Sequence, residues 1–197
     1  MRLFAALDLT EAACEELAAW WVAASAFFPP ELWRDIPAAN WHLTLAFFGE
    51  VNADEANDLA EALAECAAQT PPLSLTFGGS GFFPRPSRPE VFWAGVREVG
   101  RGDGLPRLAR CCRLAGRATV RKRSAKESPF RGHITLARGR GFPQAIEVEA
   151  LSALPPLPDL SWQAERLLLY RSELHPDGAR YRIFDEFLLA GTTAGEE

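Results

Sequence analysis

The tetrad His-x-Thr-Leu occurs twice in this chain, as His42–Leu45 within WHLTLAFFGE and as His133–Leu136 within FRGHITLARG. Both copies lie in short apolar stretches with strand-like alternation, closed by Gly49 and Gly139. Successive side chains of a strand face opposite sides. His42 and Thr44 therefore share a face with Ala46 and Phe48, while Leu43, Leu45 and Phe47 lie behind. His133 and Thr135 likewise share a face, with Ile134 and Leu136 opposite. The duplication uses two of the three histidines in the chain. It predicts two strands that present the same polar pair to one site.

The surrounding pattern supplies the rest of an α+β chain. Residues 2–8 read as a strand. A helix over 11–27 follows a Thr10 cap, carries Leu17, Trp21 and Ala24 at helical spacing, and ends at Pro29-Pro30. Asn52 opens a second helix, with Glu55 placed for a capping box and Leu59, Leu63 and Cys66 inward; Pro71-Pro72 ends it. Residues 73–78 and 91–96 alternate as strands, with Phe82–Pro86 as a loop between them. A third helix fits 104–115, with Pro106 early and Gly116 beyond its end. Residues 117–129 read as basic and irregular, and 143–153 as a further helix. The chain closes on a hairpin, 166–172 with 181–190, around Pro176-Asp177-Gly178. The repeated order, with one tetrad per half, predicts an internal pseudo-twofold. No linker divides residues 1–197, so one domain of two lobes around a shared cleft is expected.

Composition narrows the class. With 197 residues, 48% of them hydrophobic, the chain can bury a substantial core. No apolar run reaches the roughly 18 residues of a membrane span, and MRLFAALDLT meets Asp8 too early for a signal core. A cytoplasmic protein with no membrane partner is expected. Four cysteines without a CxxC motif predict free thiols in a reducing compartment and no structural zinc. Net charge is −5, yet residues 101–140 hold twelve Lys and Arg against two acids. Such a run is either a solvated face or a contact for a phosphate-rich partner. Its position, leading into the second tetrad, favours the partner.

Imidazoles titrate near neutral pH, so one ring can act as a base while another acts as an acid. Neighbouring hydroxyls and an arginine would hold anionic oxygens as charge builds. Together these groups suit transfer at a phosphodiester without a metal. No third ligand stands at zinc spacing, no nucleophile elbow is present, and Gly100-Arg101-Gly102 and Gly139-Arg140-Gly141 are not phosphate loops. Trp41 and the Trp20-Trp21 pair read as core, and His175 as a surface turn residue. Phe48 fits either the core or a base-stacking platform, and Arg131 either plain surface or RNA backbone contact.

The same segments resemble the two-histidine phosphoesterase superfamily. Within it they are most similar to the LigT-like RNA 2′,3′-cyclic phosphodiesterases, the 2′-5′ RNA ligase family. The likeness runs through MRLFAALDL, NWHLTLAFFGEV, FFPRPSRPEVFWAGV, PFRGHITLARGR and LLLYRSELHPDGARY. It implies a bilobal fold of two antiparallel sheets with outer helices, the motif strands facing each other across a groove. It implies metal-independent hydrolysis of RNA or nucleoside 2′,3′-cyclic phosphates to 2′-phosphates, with no cofactor; a monomer is expected, though the sequence leaves the oligomeric state open. His42 would be the proton donor and His133 the base. Thr44, Thr135 and Arg138 would hold the phosphate, with Phe48 and Arg131 as further substrate contacts. Strict alternation sets Arg138 opposite His133, so Arg138 meets the phosphate where the strand ends or bulges near Ala137. Gly132 stands where relatives often carry proline. Two other readings use the same groups: reversible 2′-5′ RNA ligation, and a non-catalytic RNA-binding module.

Overall fold

The computed structural model describes residues 1–100, 102–121, 129–141, 152–175 and 178–192. Its centre is the strand at the very start of the chain. β1 (Arg2–Leu7) is buried at every position after Arg2, because it lies between two neighbours and under helices. β3 (Leu43–Glu50) pairs with one edge of β1 and β8 (Arg166–His175) with the other. β9 (Gly178–Leu188) completes this half-sheet beside β8. The second half-sheet runs β6 (His133–Gly139), β5 (Arg88–Glu98), β4 (Leu73–Arg85) and β7 (Ser161–Ala164), with short β2 (Trp33–Asp35) on the far end of β6. All pairings are antiparallel. The halves meet where Leu43 pairs with Ile134, giving one sheet in the order β7-β4-β5-β6-β3-β1-β8-β9.

This is the expected α+β, bilobal arrangement, with one tetrad strand at the inner edge of each half. The lobes are not the two halves of the sequence, however. The C-terminal hairpin returns to β1, so one lobe combines both ends of the chain.

α1 (Glu11–Ala24) starts where expected, the Thr10 hydroxyl accepting from the Ala13 amide. It stops at Ala24 and continues as a 3₁₀ turn over Ser25–Phe27. Trp20 and Trp21 pack on Phe92 of β5, at ring separations of 6.5 and 5.8 Å, so the pair is helix packing. α2 (Ala53–Ala68) has the full Asn52–Glu55 capping box and buries Leu59, Leu63 and Cys66. α3 (Gly104–Thr119) covers β3 and lies beside α2.

Four local expectations change. Gly116 is inside α3 instead of after it, and the Phe48 ring occupies the space a Cβ there would need, so the glycine serves packing and not helix termination. Phe82 to Arg85 continue β4 instead of forming a loop. Phe82 is 4% exposed, opposite Phe92, and its burial extends the hairpin. Cys66 and Cys111 are bonded across α2 and α3, against the expectation of free thiols, because the two helices bring their Cα atoms to 5.9 Å. The tetrad strands do not keep strict alternation, as detailed below. The helix expected over 143–153 falls largely outside the described residues, as do residues 122–128 and the turn residues 176–177.

Candidate active site

His42 stands immediately before β3, and His133 opens β6. In both, Nδ1 lies 2.7 Å from the carbonyl oxygen two residues earlier, Asn40 in one case and Arg131 in the other. A carbonyl only accepts, so Nδ1 carries the hydrogen and donates. Each neutral ring therefore keeps its lone pair on Nε2. The leucines at the junction, Leu43 and Leu45, are 1% exposed, and Ile134 and Leu136 are fully buried. Both imidazoles are thus set on a rigid base.

The two strands also deviate from regular pairing at the same tetrad position. Between β1 and β3 the register steps from Ala5 opposite Ala46 to Ala6 opposite Thr44, which leaves Leu45 as an extra residue. Between β5 and β6 it steps from Phe92 opposite Ala137 to Trp93 opposite Thr135, which leaves Leu136 extra. An extra residue reverses which face the following side chains take. Arg138 accordingly joins the face of His133 and Thr135 and lines the groove with them. In β3 the same reversal brings Phe47 to the His42 face, 65% exposed and 5.8 Å from Phe4. Phe48, expected there by alternation, is 4% exposed under α3 and contributes only to the groove floor.

The groove has a volume of about 1540 Å³. His42, Thr44, His133, Thr135 and Arg138 all line it, and so does Arg131. Among the described residues no carboxylate lines it. Arg131 lies over the Trp93 and Phe83 rings at 5.4 and 6.0 Å, and Phe83 meets His133 edge-on at 4.8 Å. His42 is enclosed by Phe4 at 4.8 Å, by Tyr181 edge-on at 5.1 Å and by Tyr170 at 6.0 Å. The two tyrosines were not singled out in the sequence. They come from the C-terminal hairpin, and only the return of β8 to β1 sets them beside a histidine far away in the chain. Trp41 is core, donating to the Ile36 carbonyl at 2.9 Å. His175 ends β8 away from the groove lining.

Burial pushes His42 down to about 4 from an ordinary value near 6.5. The Asn40 carbonyl opposes this, while the His133 and Arg138 charges add to it. His133 is also lowered, by burial first, opposed by its Arg131 carbonyl bond and reinforced by the Arg138 and Arg131 charges. Both shifts favour the neutral ring in the free protein. Among the described residues no three of His, Cys, Asp and Glu gather as a metal cluster, and no helix is long and apolar enough to cross a membrane.

Residues 10–176 match the family model described as the 2′-5′ RNA ligase superfamily. The chain belongs to that superfamily. Among curated members, it is 33% identical to an RNA 2′,3′-cyclic phosphodiesterase of Thermus thermophilus, over the whole of this chain and 94% of that protein. It is 33% identical to the Escherichia coli protein of the same name, over 91% of this chain and 92% of that one. The Geobacillus stearothermophilus protein of that name is 31% identical over 98% of this chain, which spans 58% of its length. Solved superfamily structures agree in fold. A Thermus thermophilus crystal structure superposes with a TM-score of 0.77 at 30% identity, covering 98% of this chain and 100% of that one. Escherichia coli LigT complexed with 3′-AMP superposes at 0.76 with 31% identity, covering 95% and 97%.

Proposed function

We propose that this member of the superfamily is an RNA 2′,3′-cyclic phosphodiesterase that opens the cyclic phosphate to a 2′-phosphate by acid–base catalysis between His42 and His133. The observation that carries this is the matched geometry of the two rings. Each Nδ1 is committed to a backbone carbonyl, so each Nε2 is the proton-exchanging atom, and both belong to one cation-lined groove. The names of the relatives point to the same activity.

In this reading the cyclic phosphate lies between the rings. His133 Nε2 takes a proton from water as the water oxygen bonds to phosphorus. The bond from phosphorus to the 3′ oxygen breaks, and His42 gives its proton to that oxygen. Thr44, Thr135 and Arg138 hold the other phosphate oxygens where charge builds. This division of roles follows the resemblance of the two motifs. Arg138 disfavours a cation on either ring, and Arg131 does so at His133. To act as the acid, His42 must carry a second proton, on Nε2. Burial opposes that charge in the free protein, and the bound phosphate anion offsets the penalty. These steps call for no metal, and in this reading the enzyme acts in the cytoplasm as a monomer.

The test is incubation with the four nucleoside 2′,3′-cyclic phosphates, with and without EDTA, and identification of the product isomer. Turnover to the 2′-phosphate that survives EDTA and is lost in both His42→Ala and His133→Ala is expected. Loss on chelation with restoration by zinc overturns the mechanism. Substrate binding without any turnover instead marks a non-catalytic RNA-binding module. The groove is larger than the roughly 300–1,000 Å³ typical of a small-molecule pocket. It therefore has room for a second RNA end, whose hydroxyl would replace water and give 2′-5′ ligation. Paired RNA halves in the same assay separate that reaction from hydrolysis.

A further inference from the structure

α3 buries Leu105, Leu108, Ala109, Cys112 and Ala115. Its opposite face carries Arg110, Arg113 and Arg117 at i, i+3 and i+7, a spacing that stacks side chains along one stripe. Leu114 lies among them, 49% exposed. These residues and Phe130 line a second hollow of about 300 Å³. Arg113, Arg117 and Phe130 also line the catalytic groove, so the two spaces adjoin. Arg113 is tied to both motifs. Its Nε donates to the carbonyl of bulged Leu45 at 3.4 Å, and its guanidinium lies 5.7 Å over the Phe130 ring, three residues before His133. The stripe thus runs from the groove that the two histidines line into the second hollow.

We infer that this arginine face is the track for the RNA strand that ends in the cyclic phosphate, and that the enzyme prefers an oligoribonucleotide to a mononucleotide. The inference rests on the phosphodiesterase reading above. Arg138 and the two threonines suffice for a terminal phosphate, and a mononucleotide has no other phosphate to meet further guanidinium groups. Guanidinium forks suit phosphate oxygens, which they bind in pairs. From Arg110 to Arg117 the helix rises about 10 Å, the length of about three stacked nucleotides. Leu114 and Phe130 supply apolar surface between the cations, and an aromatic ring takes any base by stacking. Here neither hollow has a carboxylate among its described lining residues, although the chain as a whole carries −5.

The experiment compares kcat/KM for cytidine 2′,3′-cyclic phosphate and for a hexaribonucleotide ending in the same group, across salt concentrations. The variant is Arg110→Glu, whose side chain lies in the second hollow and outside the catalytic groove. The hexamer should be preferred about tenfold or more at low salt, with a steeper salt dependence. R110E should lower hexamer kcat/KM about tenfold and flatten its log–log salt slope by about 0.7, the value of one lost phosphate contact. Mononucleotide turnover should stay within about twofold. Equal effects on the two substrates, or none on either, overturn the track. Binding of a fluorescent 3′-phosphorylated hexamer, read by anisotropy, needs no turnover. If that binding is salt-sensitive and weakened by R110E while no cyclic phosphate is hydrolysed, the phosphodiesterase reading falls and the track stands. If both substrates are turned over with equal efficiency, the track alone falls.

Discussion

Leu43 pairs with Ile134, and among the described residues this is the one rung that joins β3 to β6. Each residue directly follows a tetrad histidine. The spacing of His42 and His133 is therefore set by the junction of the two half-sheets, whose side chains are 1% and 0% exposed. Ile134→Ala should cost about 2–5 kcal/mol of stability, the usual range for truncating a core aliphatic residue. It should also reduce kcat more than Leu63→Ala, a comparably buried truncation in α2. Urea unfolding and turnover of the two variants, measured side by side, check this. Equal losses of activity at equal stability would show that the junction has no special hold on the site.

Arg138 lowers the pKa of both histidines. Removing a cation favours the protonated ring, so in Arg138→Ala both histidines should titrate higher than in the wild type. NMR titration of the ring protons reads this directly. The same variant should lower kcat/KM by about 2–4 kcal/mol in transition-state terms, since it removes a donor aimed at developing charge. A variant with unmoved histidine titrations would place the Arg138 side chain away from the site.

Stability should depend on pH through the same rings. The folded pKa values lie below the unfolded ones, so the unfolded chain binds protons first as pH falls. The contribution is complete above about 6.5 and is lost as pH drops toward about 4. For His42 it amounts to about 3 kcal/mol. Carboxylates titrate in the same window, so the comparison is between wild type and His42→Gln. Denaturant midpoints from pH 7.5 to 4.5 should fall less steeply in the variant.

The bulges make opposite predictions for two adjacent phenylalanines. Phe48→Ala should destabilise by about 3–5 kcal/mol, because its ring fills the space beside Gly116. Phe47→Ala should change stability by less than about 0.5 kcal/mol while weakening KM, because its ring lies open on the groove side. Strict alternation predicts the reverse. Thermal unfolding together with steady-state kinetics decides between them.

A backbone contact at the second motif can be tested in the same way. A Cβ at Gly132 would collide with the Val96 carbonyl oxygen, and Val96 N donates to the Gly132 carbonyl at 3.0 Å. Gly132→Ala should therefore push the start of β6 off β5 and displace His133. A loss of kcat with a smaller change in global stability is expected from paired kinetic and unfolding measurements. An unchanged kcat would mean that β6 absorbs the methyl group without moving the ring.

The sequence alone marked most of the elements and singled out the candidate site residues. Thr10 and Asn52 declared two helix starts, and prolines and glycines ended most segments, because caps and breakers act over a few residues. The duplicated tetrad identified the two imidazoles and two hydroxyls for the same local reason. What only the tertiary structure decided was orientation and distant company. An extra residue at Leu45 and at Leu136 arises from pairing with β1 and β5, and it turns Arg138 inward and exchanges Phe47 with Phe48. Tyr170 and Tyr181 reach His42 because the C-terminal hairpin closes on the first strand. Cys66 meets Cys111 because two helices pack side by side. Register and packing depend on partners far along the chain, and a local pattern carries no record of them.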